Sequence, residues 1–388
     1  MNFSLCFARG HPEISPVGRD DLPRAGCLLM STAACSVVRF LCVLYLLPGS
    51  VPDLGQKESR IPVLLIQNPG FQRSLQHQPG GGSALDFGAG WDVILPAGWS
   101  MAFWIAFIYR GGKAVGLREH RSLAFEAGEL TFPDRCPDTP SGAEMSSSRA
   151  AELRSAYNRR PPAKRCNYDK MGVTAPFHCP WLELAQAWMH NSVDGQSEQS
   201  FYCVRNRKLL RLLNDVCAGV SSRSKSGGQN SFDESAADGI STALQQCGPA
   251  IVQVHLVMLG RGAPSQLALI CLPTKEDVLD ASCRKKLGRG SAEGPTEPLH
   301  NRTFADTRAS GLKLPLGVLG STVRQTIGFI VEGGFSHATA KGSGVGFVSA
   351  LGLKKLLEEK PDRACNTTVL VRCTYSLQYR PAVLHVVI

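Results

Sequence analysis

Cys166, His178, Cys179 and His190 lie within residues 166–190 and offer thiol sulfur and imidazole nitrogen, the donors that zinc prefers. Their spacing matches no zinc knuckle or finger. No CxxC pair occurs among the fourteen cysteines, so no metal site is expected. Asp86, Asp92, Glu119 and Glu126 are candidates for general acid and base, but nothing in their spacing pairs them. His255 sits inside an apolar strand and reads as a packed, hydrogen-bonded histidine. Neither GxSxG nor HExxH occurs. Gly342, Gly344 and Gly346 do not have the GxGxxG spacing, and there is no GK[ST] phosphate loop. These residues predict no catalytic site of the chain's own and no cofactor.

A different chemistry is offered by Asn158–Lys170, NRRPPAKRCNYDK. Arg159, Arg160, Lys164, Arg165 and Lys170 give five cations against one acid, Asp169. Pro161 and Pro162 favour an extended arm. Each cation that meets a phosphate releases counterions, and the face of Tyr168 can stack on an unpaired base. This is the main candidate RNA contact. Arg110 and Lys113, on a basic turn after an apolar run, are the second.

The elements that must position these groups come from apolar patterning. Gly90–Leu117 holds Trp91, Trp99 and Trp104, three of the five tryptophans. Val93–Leu95 is a short strand stopped by Pro96, and Ala97-Gly98 is a turn. Met101–Tyr109 is apolar throughout and fits a buried strand or helical turn, so the stretch reads as a core hairpin. Arg60–Pro69 is a further strand. Glu119–Glu144 reads as a surface loop, with turn chemistry at Pro133, Pro137 and Pro140. A helix is predicted over Ser146–Tyr157, capped by one of Ser146, Ser147 or Ser148. Pro180 starts another in which Trp181, Leu184 and Trp188 share a face. Phe201–Cys217 is amphipathic, with Arg205, Arg207, Lys208 and Arg211 opposite its leucines. Strands are predicted at Ala250–Met258, Leu267–Pro273, Thr326–Val331, Val369–Arg372 and Ala382–Ile388, with a strand-to-helix passage over Val348–Leu357.

The resulting expectation is a mixed α/β (α+β) chain of several parts. Residues 1–59 form a variable N-terminal segment, 60–190 a β-rich central domain with helices, and 191–240 a linker with one amphipathic helix. Residues 241–388 form a C-terminal mixed-sheet domain interrupted by a linker at 284–311. The 388 residues carry a formal net charge of +10, which favours a polyanionic partner and says nothing of fold. The scattered cysteines read as reduced, buried thiols of a cytosolic or nuclear protein. Leu28–Leu47 is apolar enough to suggest a membrane anchor, but Arg39 and several hydroxyl residues interrupt it, and no membrane partner is expected.

Long, unusual motifs carry a resemblance. GWDVILPAGWSMAFWIAFIYRGGKAVGLRE, YNRRPPAKRCNYDKMG and APFHCPW resemble the central domain, known as POPLD, of the largest protein subunit of nuclear ribonuclease P and ribonuclease MRP. GFIVEGGFS, GVGFVSALGL and LVRCTYSLQYRPA are similar to the C-terminal end of the same family. The resemblance implies a non-catalytic scaffold, an accessory subunit of an endoribonuclease ribonucleoprotein. Its implied partners are ribonuclease P RNA, ribonuclease MRP RNA, the smaller protein subunits and precursor tRNA. Hydrolysis would belong to the RNA subunit and its magnesium ions, giving removal of the tRNA 5′ leader and processing of rRNA precursors. The implied location is the nucleus and nucleolus. Family members are longer and have an extended basic N-terminal region, so the chain is expected to be a partial or alternative form. Two other readings stand beside this one: an enzyme like the folate-dependent aminomethyltransferases, on fold analogy alone, and a protein anchored to a membrane through 28–47.

Overall fold

Alternation and β-branching make AIVQVHLVM a strand that is buried on both faces, and it forms the spine of the larger sheet. The computed structural model describes residues 2–6, 61–68, 90–190, 200–218, 234–274, 277, 295–297, 322–359 and 367–388. The chain divides into two compact units, Met1–Ala127 and Gly128–Ile388, a division that falls inside 60–190.

In the first unit, β1 (Asn2–Cys6), β2 (Leu64–Asn68) and β3 (Gly90–Ile94) make an antiparallel sheet in the order β1-β3-β2. Ile94 lies opposite both Asn2 and Leu64, and Gly90 opposite both Cys6 and Asn68. β1 has no counterpart among the predicted strands, because residues 1–59 show no period. The turn at Ala97-Gly98 forms as expected, and Gly98 supplies its positive φ of 93°. The turn leads into helix α1 (Ser100–Tyr109), not into the second strand of a hairpin. Continuous apolarity cannot separate a strand from a helix, and no alternation marks this run as β. Phe103 and Ala106 pack with Ile61, and Val63, Leu95 and Phe107 close around them. Met101, Trp104, Ile108 and Tyr109 remain exposed, so the stretch is only half a core element. Helix α2 (Leu117–Ala127) completes the unit and occupies part of the expected surface loop.

The second unit opens with helices α3 (Pro140–Arg159), α4 (Trp181–His190), α5 (Arg207–Cys217) and α6 (Glu234–Gln246). α3 starts earlier than the serines predicted. Thr139 is its N-cap, with its hydroxyl oxygen accepting from the Gly142 amide at 3.2 Å, and Pro140 takes the first helical position. α4 has the predicted face, with Trp181, Leu184 and Trp188 all buried.

Six strands close into an antiparallel barrel: β5 (Ala250–Met258), β6 (Leu269–Cys271), β7 (Thr326–Ser336), β8 (Lys341–Ser349), β9 (Thr368–Arg372) and β10 (Tyr379–Val386). The circuit runs β5-β8-β7-β6-β9-β10, and β10 returns to β5 with Ala382 opposite Met258 and Val386 opposite Val254. Closure leaves the barrel strands no free edge. β4 (Tyr202–Cys203) pairs in parallel with β5 at Ala250 and Ile251, beyond the register used by β10, and makes the sheet mixed. α7 (Ala350–Glu358) comes directly after β8, capped by Ser349. α4 docks on the barrel through Trp181, whose ring meets Phe347 and Phe329 edge-on at 5.5 and 5.8 Å. Phe329 and Phe347 are cross-strand partners, so the indole covers one pair on β7 and β8.

The expected mixture of helix and sheet is therefore what folds, although residues 90–190 lean toward helix. The segment Leu28–Leu47 lies outside the described residues. Among the described residues, no helix is long and apolar enough to cross a membrane.

Candidate nucleic-acid interface

The last turn of α3 and the residues after it decide what the basic segment is. Pro161 and Pro162 do not hold an extended arm. Pro162–Lys164 form one 3-10 turn, and the backbone then folds back on itself. The Lys164 amide donates to the Pro161 carbonyl at 2.9 Å, and the Val173 amide to the Tyr168 carbonyl at 3.0 Å. The expected extension fails because side chains supply bonds that an isolated Pro-Pro segment lacks. Arg165 donates to the Asn158 carbonyl at 2.6 Å and to the Arg160 carbonyl at 2.8 Å. Its guanidinium also sits 5.7 Å from the centre of the Tyr157 ring.

Beneath the turn is a cluster of three rings. Tyr157 lies 5.5 Å from Tyr168 and 5.4 Å from Phe177, and Tyr168 lies 5.8 Å from Phe177. These separations are ordinary for tilted and edge-on aromatic pairs. The Tyr157 hydroxyl donates to the Cys166 carbonyl at 2.9 Å. Arg154 covers the Phe177 face at 5.7 Å. Tyr168 is thus a half-buried part of the support. Burial raises its hydroxyl above the usual phenol range, so it stays protonated at neutral pH.

The predicted cations separate accordingly. Arg159, Arg160, Lys164 and Lys170 are exposed, and among the described residues none forms an ion pair. Arg165 is committed to the backbone. Arg110 and Lys113 are both exposed and belong to the other unit. Other cations of the second unit differ. Arg149 meets Asp134 at 3.0 Å, and Arg324 meets Asp277 at 2.8 Å. Arg205, expected on the basic face of the amphipathic helix, lies before α5 and forks onto Asp138 at 2.6 and 2.8 Å. Asp138 also accepts from the Cys203 amide at 3.0 Å. Burial pushes the Asp138 carboxyl up, but Arg205 and the Cys203 amide outweigh it and hold the group below its ordinary 3.8. α5 keeps Leu210, Leu213 and Cys217 buried and presents Arg207, Lys208 and Arg211 to water.

Tyr157, Phe177 and Arg154 are site residues that sequence pattern does not single out. The sequence signal for them is aromatic recurrence around a basic segment, since their contacts join positions up to 23 residues apart. A longer tie is wholly nonlocal: buried Arg372 of β9 donates to the Met171 carbonyl at 2.8 Å and pins the end of the segment to the barrel.

The metal candidates form no such arrangement. Among the described residues, no group of three or more His, Cys, Asp or Glu is placed to hold an ion. Burial pushes the Cys179 thiol well above its usual range. Asp86 lies outside the described residues. Glu119 and Glu126 stand roughly 10 Å apart along α2. His255 is buried and shares a 2.7 Å hydrogen bond with Ser343, as its apolar setting suggested.

Comparison with known proteins finds two matching family domains. The POPLD (NUC188) domain matches residues 90–181, and the POP1 C-terminal domain matches 250–317 and 313–388. The Homo sapiens ribonucleases P/MRP protein subunit POP1 is 31% identical over 449 residues, covering 86% of this chain and 43% of that protein. The chain belongs to the POP1 family. The Caenorhabditis elegans subunit popl-1 is 26% identical over 70% of the chain and 31% of its own length. The Schizosaccharomyces pombe subunit pop1 is 37% identical over 24% of the chain and 14% of its own length. The chain spans less than half the length of these POP1 relatives. The basic turn at 158–170 falls within the POPLD match, and the barrel falls within the C-terminal match. None of these relatives is named as an aminomethyltransferase, and that alternative gains no support.

Proposed function

We propose that the chain acts as an RNA-binding scaffold within ribonuclease P and ribonuclease MRP, in the nucleus and nucleolus. It carries no catalytic residues of its own. Its partners are the RNA subunits and smaller proteins of these particles, with precursor tRNA as the substrate they process. The cleavage chemistry belongs to the RNA, and the protein braces RNA structure through distributed phosphate contacts.

The observation that carries the reading is the set of exposed cations at Arg159, Arg160, Lys164 and Lys170, held on a turn that is already closed by Arg165 and the aromatic cluster. A preformed turn loses little conformational entropy when it meets a phosphate backbone. Names of the relatives and the basic net charge support the same reading. The test is recovery of RNA with the tagged chain from cells, followed by sequencing. Enrichment of the ribonuclease P and MRP RNAs is expected. Recovery no higher than from untagged cells would refute the assignment.

A further inference from the structure

One end of the barrel opens into a cavity of about 150 Å³. Met258 of β5, Val371 of β9 and Pro264, all buried, form its apolar floor, and Tyr375, Gln378 and Arg380, which reach solvent, surround the opening. A cavity of that volume holds one benzene-sized ring. Its lining contains a guanidinium and no carboxylate.

The cation is held in place. Arg380 donates to the Arg261 carbonyl and lies across Gly262. Gly262 has φ +100°, and a Cβ there would overlap the guanidinium, so only glycine permits this placement. Arg261 is exposed beside it. β8 starts at the same rim: a Cβ on Gly342 would lie 2.9 Å from Met258, and the preceding residue, Lys341, is exposed. Tyr375 is 61% exposed, with its ring at the opening.

We infer that the barrel mouth binds a single unpaired pyrimidine nucleotide of an RNA strand, an inference that rests on the RNA-binding reading above. The ring enters over Met258 and Val371 and stacks on Tyr375. The Gln378 amide offers one donor group and one acceptor, the complement of a pyrimidine's pairing edge. Arg380, Arg261 and Lys341 meet the flanking phosphates. The one-ring volume favours the smaller pyrimidine over a purine.

The test measures binding of the intact chain to short oligouridylate, oligoadenylate and free uridine monophosphate, and to ribonuclease P RNA. Oligouridylate is expected to bind more tightly than oligoadenylate, with uridine monophosphate much weaker than either. Tyr375→Ala and Gln378→Ala are each expected to weaken oligouridylate binding by about tenfold. Their melting midpoints should stay at the wild-type value, since both positions face the opening. Wild-type affinity in both variants, with ribonuclease P RNA still bound, would overturn the mouth site alone. Uridine monophosphate binding as tightly as the oligomer would also overturn it, in favour of a free-nucleotide site. Absence of any RNA binding by the unaltered chain would overturn the scaffold reading and this site with it.

Discussion

Two sets of cations in the second unit are built from the same residue types and do opposite things. Arg149, Arg205 and Arg324 each meet a carboxylate, and those carboxylates are 7–9% exposed. Arg159, Arg160, Lys164 and Lys170 face water on a turn whose internal bonds come from elsewhere. The first set ties distant segments together: Asp138 precedes α3, and Arg205 precedes α5. The second set leaves its charge available. Arg165 marks the boundary between them. It has the chemistry of an RNA contact but commits two hydrogen bonds to shaping the turn. Cation count alone therefore overstates a binding surface; what matters is which cations the fold has already used.

The largest effect that sharpens this contrast is on stability. Arg324→Ala leaves the nearly buried Asp277 without its fork and should cost about 3 kcal/mol in denaturant unfolding. RNA affinity of the folded fraction should not change. The same pairs predict acid sensitivity. At Asp277, as at Asp138, burial raises the carboxyl and the arginine and amide partners more than offset it. Both folded values lie below 3.8, so their contribution is complete above pH 3.8 and disappears as pH falls through the folded values. A pH series of melting curves should show this loss below about pH 4 in the wild type and a reduced loss in Asp138→Asn.

Arg165→Ala comes next. Losing two charged donors to backbone carbonyls should cost about 2 kcal/mol. It should weaken RNA binding by loosening the turn, an effect seen as faster amide exchange at Lys164 and Val173. An Arg165→Ala protein with unchanged exchange and a shallower salt slope would place Arg165 among the free cations and erase the distinction. Tyr157→Phe is the smallest change. It removes one hydroxyl bond to the Cys166 carbonyl, keeps the ring cluster, and should cost about 1 kcal/mol by denaturation.

Much of the barrel was legible in the sequence because its strands carry β-branched runs with clear ends. Ala250–Met258 and Thr326–Val331 are examples, and the Ser349 cap marks the passage into α7. The Trp181, Leu184 and Trp188 face was legible for the same reason, a helical period behind a proline. α1 was not, since an apolar run without alternation has no period to read. The start of α3 was hidden although Thr139-Pro140 is a sound capping pair; the prolines around it weighed toward turns. In the candidate interface the residue types were visible and their division of labour was not. Nothing local to Arg165 says that its donors turn back onto Asn158 and Arg160, and nothing near Met171 points to Arg372 on the far side of the sequence.

The measurement that bears most directly on the scaffold reading is a salt series of ribonuclease P RNA binding. It compares the wild type with a variant carrying Arg159→Ala, Arg160→Ala, Lys164→Ala and Lys170→Ala, leaving Arg165 in place. Because these four side chains support no internal ion pair among the described residues, the melting midpoint should be unchanged. The slope of log affinity against log salt should become shallower by about 3. Equal slopes with an intact fold would contradict the assignment of RNA contact to this turn.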